Sequence, residues 1–186
     1  AGAVLQEGID VLSIGIALRA VLPGTVHTLT MPPGDIAVAT RLRAEHDAVL
    51  PAVEQIRAVA DTLSTDAVDL APTRRLLERL ETTLVPHERE EERLLVPLVS
   101  RALGGTDATA ALSRTHAEIE HQVGRLRRLL DHVDTDDVDE EGVVELRRLL
   151  YGLYAVLRLH NAQEEEGAFA LVPAATTARE RRDGIR

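Results

Sequence analysis

Four stretches of this chain carry aliphatic residues at alternating steps of three and four, and a single histidine interrupts each stripe. The first runs His46, Val49, Val53, Ile56, Ala60, Leu63, and the third His116, Ile119, Val123, Leu126, Leu130, Val133. The second, Leu77, Leu80, Leu84, His87, Glu91, Leu94, Leu98, and the fourth, Leu146, Leu150, Leu153, Leu157, His160, Glu164, each add a glutamate four residues after the histidine. Residues three and four apart share one face of a helix, and an apolar stripe on a helix turns toward a core. Each histidine and both glutamates are therefore expected to point inward. The spacing predicts helices over about 38–63, 73–103, 108–133 and 139–171, joined by short breaks. Four such helices fold as an all-α, antiparallel up-down-up-down bundle.

The breaks have recognisable chemistry. STDAVDLAP (64–72) ends on a Pro suited to a first helical turn, and GGTD (104–107) offers glycines to stop one helix and Thr106 or Asp107 to cap the next. DTDDVDE (134–140) is an acidic cap region. Pro51 and Pro86 fall inside predicted helices and are expected to kink them. Register then decides whether the inward polar residues meet. His46 and His87 lie about 21 and 20 residues from the middle of the first break, and His116 and His160 about 21 and 23 from the middle of the third. At about 1.5 Å per residue all four stand roughly 30 Å from the same end of the bundle, in one layer with Glu91 and Glu164.

Such a layer needs a neutralising ligand, because buried carboxylates and imidazoles without partners cost several kcal/mol each. Imidazole suits iron, zinc, copper and nickel, and two carboxylates able to bridge favour a pair of hard ions. Composition leaves little else. With no cysteine, thiol catalysis, structural disulfides, Cys-ligated zinc and iron–sulfur clusters are excluded, and a net charge of −10 argues against a nucleic-acid partner.

The matching stretches are AEHD around His46, HEREEERLLVPL from His87 with Pro97 ten residues on, THAEIEHQV around His116, and HNAQEEEGAFAL from His160. Over about residues 38–173 this pattern resembles the hemerythrin-like (HHE cation-binding) family. The resemblance implies two iron ions bridged by carboxylates and an oxo or hydroxo group. It makes His46, His87, His116 and His160 terminal ligands and Glu91 and Glu164 bridges, with O2 or another small diatomic or peroxide as the bound partner. Manganese or zinc would accept the same donors. In one respect the chain departs from the pattern: oxygen-carrying hemerythrins have a second histidine four residues after the third-helix ligand, and here Glu120 stands there. Either the centre has six ligands and is more open, or Glu120 coordinates. The flanking acids Glu88, Glu90, Glu92, Glu165 and Glu166 are read as solvated or as supporting the ligands from outside, His121 as a surface residue, and Tyr151 and Tyr154 as packing residues. His27 and His132 are assigned to no site.

Residues 1–22 differ from the rest: AGAVLQEGIDVLSIGIALRAVL is apolar with acids at Glu7 and Asp10. Its length approaches a bilayer span, but an acid in a membrane costs about 2.5–3.5 kcal/mol, so a membrane helix and a soluble amphipathic helix both fit. QEGIDVLSIGIALRAVL is similar to the last transmembrane helix of heavy-metal-transporting P-type ATPases. That resemblance implies a cytoplasmic domain tethered to the membrane by residues 1–22, through a Pro/Gly linker at 23–37, with a polar tail at 174–186. It makes the bundle the sensing or regulatory module of a parent ATPase. Met31 as a start would instead give a free-standing di-iron protein handling O2, NO or peroxide.

Overall fold

The computed structural model of the protein describes residues 31–65, 68–131 and 138–171. The apolar segment 1–22, residues 23–30 with His27, His132, and the tail 174–186 lie outside the described residues, as do positions 134–137 of the acidic break.

All regular structure among the described residues is helical. Helix α1 (Pro33–Thr62) begins inside the segment read above as linker. Proline in the first turn lacks only an N–H that would find no partner there, and its fixed φ already suits a helix. Asp35 in the same turn faces the positive end of the helix dipole. PPGD is thus a helix start, and α1 continues through Pro51.

The second rod is composite. Helix α2 (Ala71–Arg79) starts where Asp69 Oδ1 accepts from the Ala71 N–H at 2.9 Å. It passes through a π turn, Leu80–Leu84, directly into α3 (Val85–Leu103). The π turn lies immediately before Pro86, whose ring would clash with a carbonyl one turn back in a regular helix. A wider turn takes up the disturbance expected there as a kink. Gly104, in the left-handed region at φ 81°, ends α3, and the Gly105 N–H closes on the Ser100 carbonyl at 3.0 Å. Thr106–Ala108 form a 3-10 turn rather than a side-chain cap, and α4 (Ala110–Asp131) follows. Helix α5 (Glu140–Gln163) is capped by Asp139, whose side chain accepts from the Gly142 N–H at 2.8 Å. It runs into a second π turn, Glu164–Ala168, and a closing 3-10 turn, Phe169–Leu171.

The rods form a ring in which α1 packs on α3 and α5, and α4 packs on the same two. Polar pairs record the register. Arg41 meets Glu90 and Gln55 meets Arg79 across the first and second rods; Glu120 meets Arg89 and Arg127 meets Glu81 across the second and third. The core they enclose is in two parts. The larger cluster includes Val53, Ile56, Leu80, Leu84, Ile119, Leu126, Leu150 and Leu157; the smaller comprises Met31, Ala39, Leu42, Leu95, Leu98, Val99, Ala168 and Phe169. In α3 the stripe moves from Leu94 to Leu95, which is fully buried, because a 3.6-residue helix drifts against a 3.5-residue repeat.

Leu150 lies at the centre of the larger cluster and is wholly enclosed. Leu150→Ala should cost about 2–5 kcal/mol, read as a lower denaturation midpoint with an unchanged slope.

Candidate metal centre

Seven polar side chains occupy the layer between the two apolar clusters. Helix α1 supplies His46, α3 supplies His87, Glu88 and Glu91, α4 supplies His116, and α5 with its π turn supplies His160 and Glu164. None is more than 7% exposed, and Glu91, His160 and Glu164 have no exposure at all.

Their geometry divides into two groups with a shared member. His46, His87 and Glu91 offer ligand atoms within 4.8 Å of one another, and so do Glu88, Glu91, His116 and His160. Glu91 directs Oε1 to His87 Nε2 at 3.2 Å and Oε2 toward His116 Nε2 at 3.9 Å. Glu164 spans the groups from the other side. Its Oε2 is 3.3 Å from both His46 Nδ1 and His160 Nε2, while Oε1 lies 3.7 Å from His116 Nε2. Glu88 Oε2 completes the second group, 2.9 Å from His160 Nε2 and 3.6 Å from His116 Nε2. The rings pair in the same way: His46 and His87 have centroids 5.9 Å apart, His116 and His160 4.8 Å. Phe169 sets its edge against His46 at 5.6 Å and closes the layer at one end.

These contacts are short but poorly aligned as hydrogen bonds. Among the described residues, every buried side-chain polar atom without a hydrogen-bond partner belongs to these seven residues, except Thr73 Oγ1 and Gln122 Oε1. Ligand atoms gathered within 4.8 Å of one another and left without hydrogen-bond partners are what a cation requires, and the mixture of imidazole and carboxylate suits a transition metal. The donors present therefore fit a pair of metal ions.

Charge in the layer is unevenly held. Burial, reinforced by the charges of Glu164 and Glu88, pushes the Glu91 carboxyl well above the usual range. Burial acts on Glu164 in the same direction, but His116 and His46 against it hold that carboxyl below its usual value. His116 is raised to about 9: burial opposes its charge, and Glu164 and Glu92 at its two ring nitrogens, with Glu88 nearby, outweigh that. His87 is lowered by burial, whereas Glu164 raises His46 in spite of burial.

The structure brings together all six residues singled out in the sequence: His46, His87, Glu91, His116, His160 and Glu164. It also adds one. Glu88, read as solvated or as supporting the ligands from outside, is 2% exposed and faces His116 and His160 directly. One residue along a helix is a turn of about 100°, so His87 and Glu88 lie on either side of the face centred on Glu91. His87 reaches the α1 side and Glu88 the α4–α5 side. The signal available was the i, i+3 pairing of Glu88 with Glu91. Glu120 is outside the layer, held by Arg89 through two hydrogen bonds of 2.8 and 3.1 Å. Tyr154 points to Glu54 at 3.4 Å, and His121 is exposed.

With His116 and Glu91 both raised, each carries a proton at neutral pH in the metal-free protein, and each must lose it to donate a lone pair. Metal binding should therefore release protons and tighten as pH rises toward about 9, by about tenfold per pH unit for each proton released. Calorimetric titration in buffers of different ionisation enthalpy measures that release; none at pH 7 would show both groups already deprotonated.

No match is found among the curated proteins or among the solved structures. The model of the family described as the hemerythrin HHE cation binding domain matches residues 37–172. That span takes in the four rods except the first turn of α1, and all seven residues of the buried layer; the chain belongs to the hemerythrin HHE cation-binding family.

Proposed function

We infer that this domain, an antiparallel up-down-up-down bundle, binds two iron ions and takes up O2 or a related small ligand there. The observation that carries the reading is the shared carboxylate: two clusters of donor atoms, each within 4.8 Å, meet at Glu91. The pairing of rising with falling residue numbers between neighbouring rods supports the alternating helix directions. His46 and His87 would hold one ion and Glu88, His116 and His160 the other, with Glu91 and Glu164 between them. Two iron ions bound there supply a redox-active pair able to accept a small ligand.

The chain's own residues make the two positions unequal. The His46 side has no terminal carboxylate, whereas the other has Glu88. A recess of about 340 Å³ between α1 and α5, lined in part by Arg43, His46, Asp47, Arg158 and Glu165, opens beside His46. Arg43 and Glu165 pair at 2.8 Å among its lining residues. The more open ion position and the recess favour ligand entry on the His46 side.

We further propose that the domain regulates a heavy-metal-transporting P-type ATPase, tethered to the membrane by residues 1–22. The support is the QEGIDVLSIGIALRAVL pattern ahead of the bundle. Among the described residues no helix is long and apolar enough to cross a membrane, so the tether would rest on residues 1–22 alone. A free-standing di-iron protein that handles O2, NO or peroxide is the second reading. It is favoured by the compact unit that begins at Met31, a residue buried in the smaller core cluster.

Reconstituted protein should hold two iron ions per chain by elemental analysis. Glu91→Ala, which removes the carboxylate common to both groups, should reduce this below one. A single zinc ion per chain would overturn the di-iron reading. In the full-length pump, unaltered transport and redox response after replacing His87 and His160 by Ala would overturn the regulatory one.

A further inference from the structure

The acidic run Glu90-Glu91-Glu92 sends its three carboxylates in different directions. Glu90 pairs with Arg41 on α1 and Glu91 enters the layer. Glu92 turns to α4, where its Oε2 lies 2.8 Å from His116 Nδ1. Ser113 Oγ, one turn before His116, donates to the other oxygen of Glu92 at 2.9 Å. Glu92 is thus fixed at both oxygens by residues three apart on one helix face, although its side chain is 44% exposed.

No other histidine of the layer has such a partner on the nitrogen turned away from its neighbours in the centre. His87 Nδ1 and His160 Nδ1 are buried without a hydrogen bond, and His46 has a carboxylate only at Nδ1, from Glu164 within the layer. A carboxylate can only accept, so Nδ1 of His116 must carry the hydrogen, and in the neutral ring the lone pair is then on Nε2. Nε2 is the atom that faces Glu88, Glu91 and Glu164.

We propose that Glu92 is a positioning residue that, with Ser113, selects the Nε2-donor form of His116 and fixes its ring. Its effect is confined to one of the two ion positions, the one formed by Glu88, Glu91, His116 and His160. An acceptor on the far nitrogen raises the electron density of a ligating imidazole, and its loss typically costs 10–100-fold in metal affinity. The same donation favours the more highly charged oxidation state of the ion. This inference rests on the two-ion reading above.

Iron(II) titration and a midpoint-potential measurement, on the wild type and on Glu92→Gln, test it. The wild type should bind two ions in two resolvable steps. Glu92→Gln should weaken one step by about 10–100-fold, leave the other unchanged and shift the midpoint potential upward. Glu92→Asp, which keeps the carboxylate, should recover part of the loss. His46→Ala should abolish the step that Glu92→Gln leaves intact, and Glu120→Gln, on an acid outside the layer, should change neither. A Glu92→Gln protein with wild-type affinities and potential, or one that loses the same step as His46→Ala, overturns the role of Glu92 while the two-ion centre stands. A wild type that binds no pair of ions overturns both readings.

Discussion

Three carboxylates and four imidazoles share one water-poor layer, and the rest of the bundle is arranged around that crowding. Isolated charges are costly in such surroundings, and carboxylates this close resist ionising together. The groups respond unequally: burial and the neighbouring carboxylates raise Glu91, His116 and His46 lower Glu164, and the surrounding carboxylates raise His116. A pair of cations would remove the need for that compromise. The aliphatic faces above and below bring the four rods close enough for the layer to exist, and the ring of surface ion pairs keeps them in register.

Helix α3 carries most of the chemistry because four adjoining directions on it are all occupied. His87 leans to α1, Glu88 to α4 and α5, Glu91 stands between them, and Glu92 continues round to α4. The result is a centre with unlike halves, richer in carboxylate on one side and more accessible on the other. Both π turns border this region. One ends just before Pro86 and His87, and the other begins at Glu164 itself. Each takes one more residue per turn than a regular helix and so changes the facing of the side chains beside it, at the places where a side chain has to be aimed.

Much of this was legible in the residues because buried helices repeat at three and four, and a polar residue on such a stripe stands out. The inward histidines and the two shared glutamates followed from that repeat together with break positions. Glu88 did not, since a residue one step off the stripe is indistinguishable by period from the solvated Glu90. Only the presence of a third rod on that side makes the off-stripe position buried. Glu92 was left for the same reason between a solvated acid and one that supports the ligands from outside. The start of α1 at Pro33 was hidden by reading PPGD as a breaker when it serves as a first turn. The π turns have no period of their own to reveal them.

The division of the core has a consequence for how the bundle comes apart. The smaller cluster gathers Met31 and the start of α1, the latter half of α3, and Ala168 with Phe169, and the polar layer separates its side chains from those of the larger one. Apolar contact alone therefore does not make the two ends cooperate. With ions in place the layer would act as a rivet between the two ends. Without them, the end that contains Phe169 would depend on its own small cluster, and its opening would carry Glu164 away from the site. Occupancy of the centre is in this way written into the cooperativity of the whole fold.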